Sequence, residues 1–319
     1  MKSREDEKVN NTRQSGGKTY LFSIIFNIAV QICFTFVVLA VMASCGYEST
    51  DSIPGYSTWN LVAMFLLQVA FVAAVVYTRP ALSPVPKIEA GEWAKQILFA
   101  VLSAAVCLCC FSWLGEWFAV FLDYIGYRLS DITMNGAADI ILAVIVTVII
   151  APMAEETVFR NALIGDIKKR HGFAGTVALS GLCFALMHMN PQQTVYQFFL
   201  GCTCAYAFIK TGNIVCPVVI HALNNGCAIA LSFAEIPLIT PPEGQISVLT
   251  GNAALSVPVT LLLAAAGMCI IYYAGKKLFK KTDGGYFLGT EKSGGKAPCA
   301  VAMSVCAFMW ICNFIGSMG

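Results

Sequence analysis

Long runs of apolar residues, separated by short polar loops, dominate the pattern of this chain. Each run approaches the ~20 apolar residues that a helix needs to cross the hydrocarbon core of a membrane. The pattern predicts nine spans, at residues 20–43, 58–78, 96–120, 138–162, 173–190, 194–210, 214–233, 254–275 and 297–317. We therefore expect an all-α fold, a polytopic bundle of transmembrane helices. Glutamines inside the spans, Gln31, Gln68 and Gln197, are expected to form hydrogen bonds between helices.

The composition supports a membrane protein and narrows the classes of function. Hydrophobic residues make up 58% of the 319 residues and charged residues 12%, whereas a soluble domain has about 25% charged residues. The 14 cysteines are scattered through apolar runs, which favours small buried residues over a disulfide framework. The sequence contains no nucleotide-binding motif and no basic–aromatic patch, so nucleic acid is not an expected partner. Membrane lipids are expected partners of a chain this apolar.

The charges of the loops predict the orientation of the bundle. Basic residues lie before the first predicted span and after the second, fourth, sixth and eighth, whereas the other loops are mainly acidic. The positive-inside rule then predicts a cytoplasmic N-terminus and, with nine spans, a C-terminus outside. Residues 1–18 are hydrophilic and lack the features of a signal peptide, so we expect a cytoplasmic tail followed by a membrane domain over residues 19–319. The compact loops favour a bacterial plasma membrane.

Two adjacent carboxylates, Glu155 and Glu156, lie within the fourth apolar run. Charges at membrane depth are costly and by default indicate a functional site. Arg160 is four residues from Glu156, so the two side chains share a helix face and can pair. Glu155 is five residues from Arg160 and is predicted to point elsewhere, toward a cavity, as a general base. A purely structural role for the Glu156–Arg160 ion pair is the simpler alternative.

Two further polar pairs occur in later apolar runs. Phe184 and His188 are four residues apart, as are His221 and Asn225, so each pair shares one face of a helix. At 1.5 Å per residue, the acids, histidines and amide lie about 12–22 Å from the expected cytoplasmic interface. They could converge on a water-filled pocket open to the cytoplasm. Asn224 is an alternative to Asn225, and an isolated His188 could simply bridge helices.

The three motifs resemble those of the CPBP family of intramembrane proteases, which includes CAAX prenyl endopeptidases and bacteriocin-processing or immunity proteins. They read EETVFR at 155–160, FALMH at 184–188 and HALNN at 221–225. The resemblance covers about residues 95–235, the expected protease-like core. It implies a hydrolase of the CAAX type, an intramembrane glutamic endopeptidase that acts on a peptide or a lipidated peptide, with its metal dependence left open. We expect no cofactor, with zinc as the alternative.

The resemblance also implies a role for each motif residue. Glu155 with His188 would activate the water, and His221 with Asn225 would stabilise the oxyanion. The supporting residues would be Glu156, Arg160 and Phe184.

Three alternatives stay open from the sequence. Two histidines and a glutamate could bind zinc, but the ligands would come from separate helices without HExxH spacing, so the metal-free mechanism is preferred. A non-catalytic scaffold or bacteriocin self-immunity protein could bind a partner in the same pocket. Buried acids and histidines also form proton relays in transporters, although no internal repeat is visible. The sequence does not choose a substrate.

Overall fold

The structure, a computed structural model, describes residues 15–128, 134, 136–168, 171–233, 253–279 and 296–318. These residues form nine helical segments and no β-strand. In chain order they are α1 Gly16–Cys45, α2 Tyr56–Thr78, α3 Ala90–Tyr124, α4 Ala137–Lys168, α5 Phe173–Met187, α6 Thr194–Thr211, α7 Val215–Phe233, α8 Ala253–Leu278 and α9 Lys296–Gly316. The predicted all-α fold is confirmed.

Six of these helices are long and apolar enough to cross a membrane. They are α1, α2, α3, α4, residues Ser256–Leu278 of α8 and residues Ala297–Gly316 of α9. The helix α5 and residues Val215–Leu231 of α7 are apolar but shorter, and α6 ends with the basic residue Lys210 in its last turn. The chain is a multi-pass membrane protein, and membrane crossing by α5, α6 and α7 stays a prediction.

Some predicted spans differ from the observed helices in their ends, and some predicted loops lie outside the described residues. The predicted fifth span extends to residue 190, but α5 ends at Met187. The third span is predicted to begin at residue 96, whereas α3 begins earlier, at Ala90. Residues 1–14 of the predicted tail, the basic residues of loop 280–295 and the acidic residues of loop 234–252 lie outside the described residues.

The chain divides into two compact units. The first comprises residues 1–83, 131–169 and 289–302, and the second comprises residues 84–130, 170–288 and 303–319. The glutamate motif therefore belongs to the first unit, and both histidine motifs belong to the second.

The first unit packs α4 against α1 and α2. The buried rings of Tyr20 and Phe71 contact Phe159 with centroid distances of 5.4 Å and 6.3 Å. Gly16 lies directly on α4, because a Cβ at this position would be 2.0 Å from the carbonyl oxygen of Ala162. Asn161 exchanges two hydrogen bonds with the backbone of Ser83, at 2.6 Å and 3.2 Å. These contacts fix α4, which carries the glutamate motif, within its unit.

The second unit brings α5 and α6 together at two glycines. A Cβ on Gly201 would lie 2.9 Å from the Cα of Gly181, so the two backbones are in direct contact. Small residues allow such close approach between helices in membranes. The first turn of α7 is tied to α3 through Asn213, which accepts from the Val215 amide at 3.1 Å and donates to Gln96 at 2.8 Å. These contacts position the helices that carry the histidine motifs.

Candidate active site

The glutamate pair lies on a short α-helical part of α4, between two π-helical stretches. Residues Ala151–Glu156 of α4 are α-helical, and π-helical stretches flank them at Val144–Ile150 and Thr157–Leu163. Pro152 has no N–H group to donate to the helix. Single π turns are frequent at functional sites, because they redirect the side chains that follow.

Glu155 is held by a side chain from a neighbouring helix of the same unit. Only 6% of its surface is exposed, and the Nε2 amide of Gln68 on α2 donates to its Oε1 at 3.1 Å. The interhelical hydrogen bond predicted for Gln68 is therefore confirmed. Among the described residues, neither Glu155 Oε2 nor Gln68 Oε1 has a hydrogen-bond partner.

Glu156 is paired with Arg160, as the four-residue spacing predicts. Both side chains are completely buried, and Arg160 Nε lies 3.0 Å from Glu156 Oε2. The guanidinium carbon of Arg160 also lies 5.8 Å from the centroid of the Phe159 ring. The two adjacent glutamates thus have different partners within one unit. The supporting role assigned to Glu156 and Arg160 stays a prediction.

His188 follows the last residue of α5 and does not lie within the helix. The chain turns immediately after it, since Met189 adopts a left-handed conformation with φ 51°. The Asn313 side chain donates to the Met189 carbonyl at 2.6 Å and stabilises this turn. His188 Nδ1 is 2.9 Å from the Phe184 carbonyl oxygen. A carbonyl only accepts, so Nδ1 carries a proton, and in a neutral ring Nε2 is then the accepting nitrogen.

Phe184 contacts both histidines of the predicted site. Its ring centroid is 4.9 Å from that of His188 and 5.5 Å from that of His221, edge-on in both cases. Phe184 is fully buried, and His221 on α7 is 2% exposed. The second unit therefore assembles its two predicted catalytic histidines around one aromatic ring.

The amide pair on α7 is connected to a tyrosine that sequence analysis missed. The Tyr196 hydroxyl donates to Asn224 Oδ1, and Asn224 Nδ2 donates to Asn225 Oδ1 at 3.4 Å. Asn224 is buried and Asn225 is half-buried. A tyrosine in an apolar run carries no local signal of this contact. The choice of Asn225 over Asn224 as the functional amide stays a prediction.

The predicted site residues thus form two groups. The first unit holds Glu155, Glu156 and Arg160, and the second holds the aromatic, histidine and amide side chains of the other two motifs. Within either unit, no three described His, Cys, Asp or Glu side chains form a group suited to a metal ion. The zinc alternative draws ligands from both units and stays a prediction.

Comparisons with known proteins identify the segment that carries the motifs. Residues 137–227, which include all three, match the family model described as type II CAAX prenyl endopeptidase Rce1-like. The chain is 22% identical over 235 residues to the putative membrane peptidase YdiL of Bacillus subtilis (strain 168), covering 69% of this chain and 91% of YdiL. It is 31% identical over 84 residues to the membrane-embedded CAAX protease MroQ of Staphylococcus aureus (strain USA300), covering 24% of this chain and 34% of MroQ.

No solved structure matches the chain. Both relatives are bacterial, in agreement with the expectation from the loops. The matches support membrane protease activity. They confirm the family resemblance that the three motifs predict: residues 137–227 of this multi-pass membrane protein are similar to Rce1-like CAAX endopeptidases.

Proposed function

We propose that this chain is an intramembrane endopeptidase that hydrolyses a peptide bond by a water molecule activated by Glu155 and His188. The observation that carries the proposal is the coincidence of all three polar motifs with the family-matched segment, residues 137–227. The buried Glu155 carboxylate and the two histidines around Phe184 are the groups that such a reaction requires.

Glu155 has the environment of a general base. Gln68 binds one carboxylate oxygen, and the other is able to accept a proton from water. The burial of Glu155 lowers the local dielectric constant, which strengthens electrostatic interactions with the reacting groups. Glu155 would later return the proton to the leaving amine. Its neighbour Glu156 would pair with Arg160 and support the geometry of the site.

The histidine and amide side chains of the other two motifs would assist with the proton and stabilise the negative charge of the tetrahedral intermediate. With Nδ1 donating to the Phe184 carbonyl, Nε2 of a neutral His188 ring is an acceptor, and His188 would assist Glu155 in activating the water. His221 and Asn225 would donate to the oxyanion. One such donor in a preorganised site contributes about 3 kcal/mol to transition-state stabilisation.

The proposed substrate is a peptide within the membrane. The description of the matched family makes a prenylated CAAX C-terminus the first candidate, and the lipid chain would suit the apolar surroundings of the site. We place the protein in the plasma membrane, with the N-terminus in the cytoplasm and the active site open to the cytoplasm, on the distribution of basic loops. The proposed mechanism uses no metal.

The proposal is tested with the full-length chain in vesicles of phosphatidylethanolamine and phosphatidylglycerol. The probes are a farnesylated CAAX-type peptide, the same peptide without the farnesyl group, and an unmodified apolar leader-type peptide, with products identified by mass spectrometry. We expect the wild-type protein to cleave at least one probe and Glu155→Gln to lose at least about 100-fold in rate, since general base catalysis is removed.

Glu116, which lies within the apolar helix α3, provides a matched control. Glu116→Gln should cleave at the wild-type rate. Normal cleavage by Glu155→Gln would contradict the proposal. A biological function that survives both Glu155→Gln and His188→Gln would instead favour a scaffold or immunity protein. Activity that disappears with a chelator and returns with zinc would contradict the metal-free mechanism.

A further inference from the structure

The partner of Glu155 lies outside the family-matched segment. Gln68 is on α2, 87 residues before Glu155 in the chain, whereas the match covers residues 137–227. Both side chains are more than nine-tenths buried, with exposed fractions of 7% and 6%. One of these two buried polar groups is the proposed base, so the chemistry of its partner bears directly on the proposed reaction.

The hydrogen bond defines which carboxylate oxygen can react. An ionised carboxylate only accepts hydrogen bonds, so the amide nitrogen of Gln68 must face it. This contact holds Oε1 of Glu155 and restricts rotation of the carboxylate about its terminal bond. The other oxygen, Oε2, is then the one that accepts a proton.

The same pair leaves two acceptors unmet. Glu155 Oε2 and Gln68 Oε1 are both buried and have no hydrogen-bond partner among the described residues. Desolvating an acceptor without replacing its hydrogen bonds is unfavourable. A substrate carbonyl cannot satisfy them, because it is itself only an acceptor. A water molecule has two O–H groups and commonly occupies buried sites with two to four polar partners.

We propose that Gln68 is a positioning residue for hydrolysis: its amide orients the Glu155 carboxylate, and its carbonyl oxygen together with Glu155 Oε2 binds the water that is activated. This inference rests on the proposed function. In the reaction, water loses one proton to Glu155 Oε2 while its oxygen bonds to the substrate carbonyl carbon and the C=O π electron pair moves to the carbonyl oxygen. When that pair re-forms the C=O bond, the C–N bond breaks and Glu155 returns the proton to the leaving amine. The Gln68 amide is unchanged throughout.

A structural hydrogen bond between helices is the competing explanation, since such bonds also stabilise membrane bundles. That explanation predicts a loss of stability with an unchanged kcat. Positioning predicts the opposite division: kcat falls, while KM and stability change little.

The test uses Gln68→Met, which keeps the length of the side chain and removes both hydrogen-bonding groups. Gln31→Met on α1 is the matched control, the same substitution at another glutamine of the first unit. Full-length proteins in the same vesicles are compared with the probe peptide that wild-type protein cleaves and Glu155→Gln does not. We expect Gln68→Met to lower kcat by about tenfold, the size of one hydrogen bond to a charged group, with KM within about twofold. Gln31→Met should match the wild type.

Thermal unfolding in detergent is measured for each variant, and Gln68→Leu provides a second apolar replacement if Gln68→Met does not fold. A wild-type kcat in a folded Gln68 variant would overturn the inference while leaving the proposed function intact. An equal loss of kcat in Gln31→Met would also overturn it, because the effect would not be specific to Glu155. Absence of any Glu155-dependent cleavage by the wild type would defeat the proposed function, and this inference with it.

Discussion

Two adjacent glutamates on one helix have unlike surroundings. Glu156 is bound to a buried guanidinium on its own helix, whereas Glu155 is bound to an amide from α2. A guanidinium supplies the countercharge of a buried carboxylate, whereas a neutral amide orients a carboxylate without one. This difference agrees with the predicted supporting role of Glu156 and leaves Glu155 for the proposed chemistry.

The buried ion pair gives a prediction about stability. Arg160→Met leaves Glu156 without its buried cation, and breaking such a pair typically costs about 3–5 kcal/mol. The exposed pair between Lys95 and Glu92, with 47% and 45% of the side chains accessible, is the control. Lys95→Met should cost less than about 1 kcal/mol. Chemical denaturation in detergent micelles measures both, and equal losses would contradict a structural role for Arg160.

At the scale of elements, the crossing of α5 and α6 determines where the first histidine lies. Gly181 and Gly201 bring the two helices into backbone contact, and the Cβ of Phe184 would be 3.2 Å from a Cβ on Gly201. His188 follows one turn later, at the point where α5 ends. The separation of these two helices therefore controls the position of Phe184 and, through it, the edge-on contacts with both histidines.

A glycine substitution tests this crossing. A Cβ at residue 181 would lie 2.5 Å from Cys202 Sγ and 2.9 Å from the Phe198 carbonyl oxygen, so Gly181→Ala must separate the helices. We expect a destabilisation of about 1–3 kcal/mol together with a loss of cleavage rate. For Gly165→Ala on α4, no described atom lies within 4 Å of the added Cβ. That control should be neutral or stabilising by about 0.5–1 kcal/mol.

Unfolding midpoints and cleavage rates are measured on the same preparations of both variants. A Gly181→Ala protein with wild-type stability and rate would show that α5 and α6 can separate without moving the histidines.

The positions of the helices were predictable, but the end of α5 was not. A helical segment is recognised from a run of apolar residues that are neighbours along the chain. This is a local property, so the sequence predicts the nine helical segments. The apolar run continues past His188 to Asn190, directly before Pro191, and the predicted span extends to that point. A contact from Asn313, 124 residues away, stabilises the turn at Met189, and no local pattern encodes that contact.

At the scale of the whole molecule, the loops predict an orientation that can be measured directly. Arg79 and Lys87 lie between α2 and α3, whereas Glu48 and Asp51 lie between α1 and α2. The positive-inside rule predicts that the basic loop between α2 and α3 lies in the cytoplasm. An epitope tag inserted after Lys87 should be accessible to antibody only in permeabilised cells, and one inserted after Ser49 should be accessible in intact spheroplasts. The reverse pattern would invert the predicted topology.

The sequence by itself determined the membrane class, the helical segments, the three motifs and the Glu156–Arg160 pair. All of these depend on composition or on spacing within one helix, which are local properties. Only the tertiary structure decided that Gln68 binds Glu155 and that Phe184 contacts His221 as well as His188. Those partners come from different helices. Their choice depends on how closely the helices approach and on which faces they bury, and residue spacing along one helix specifies neither.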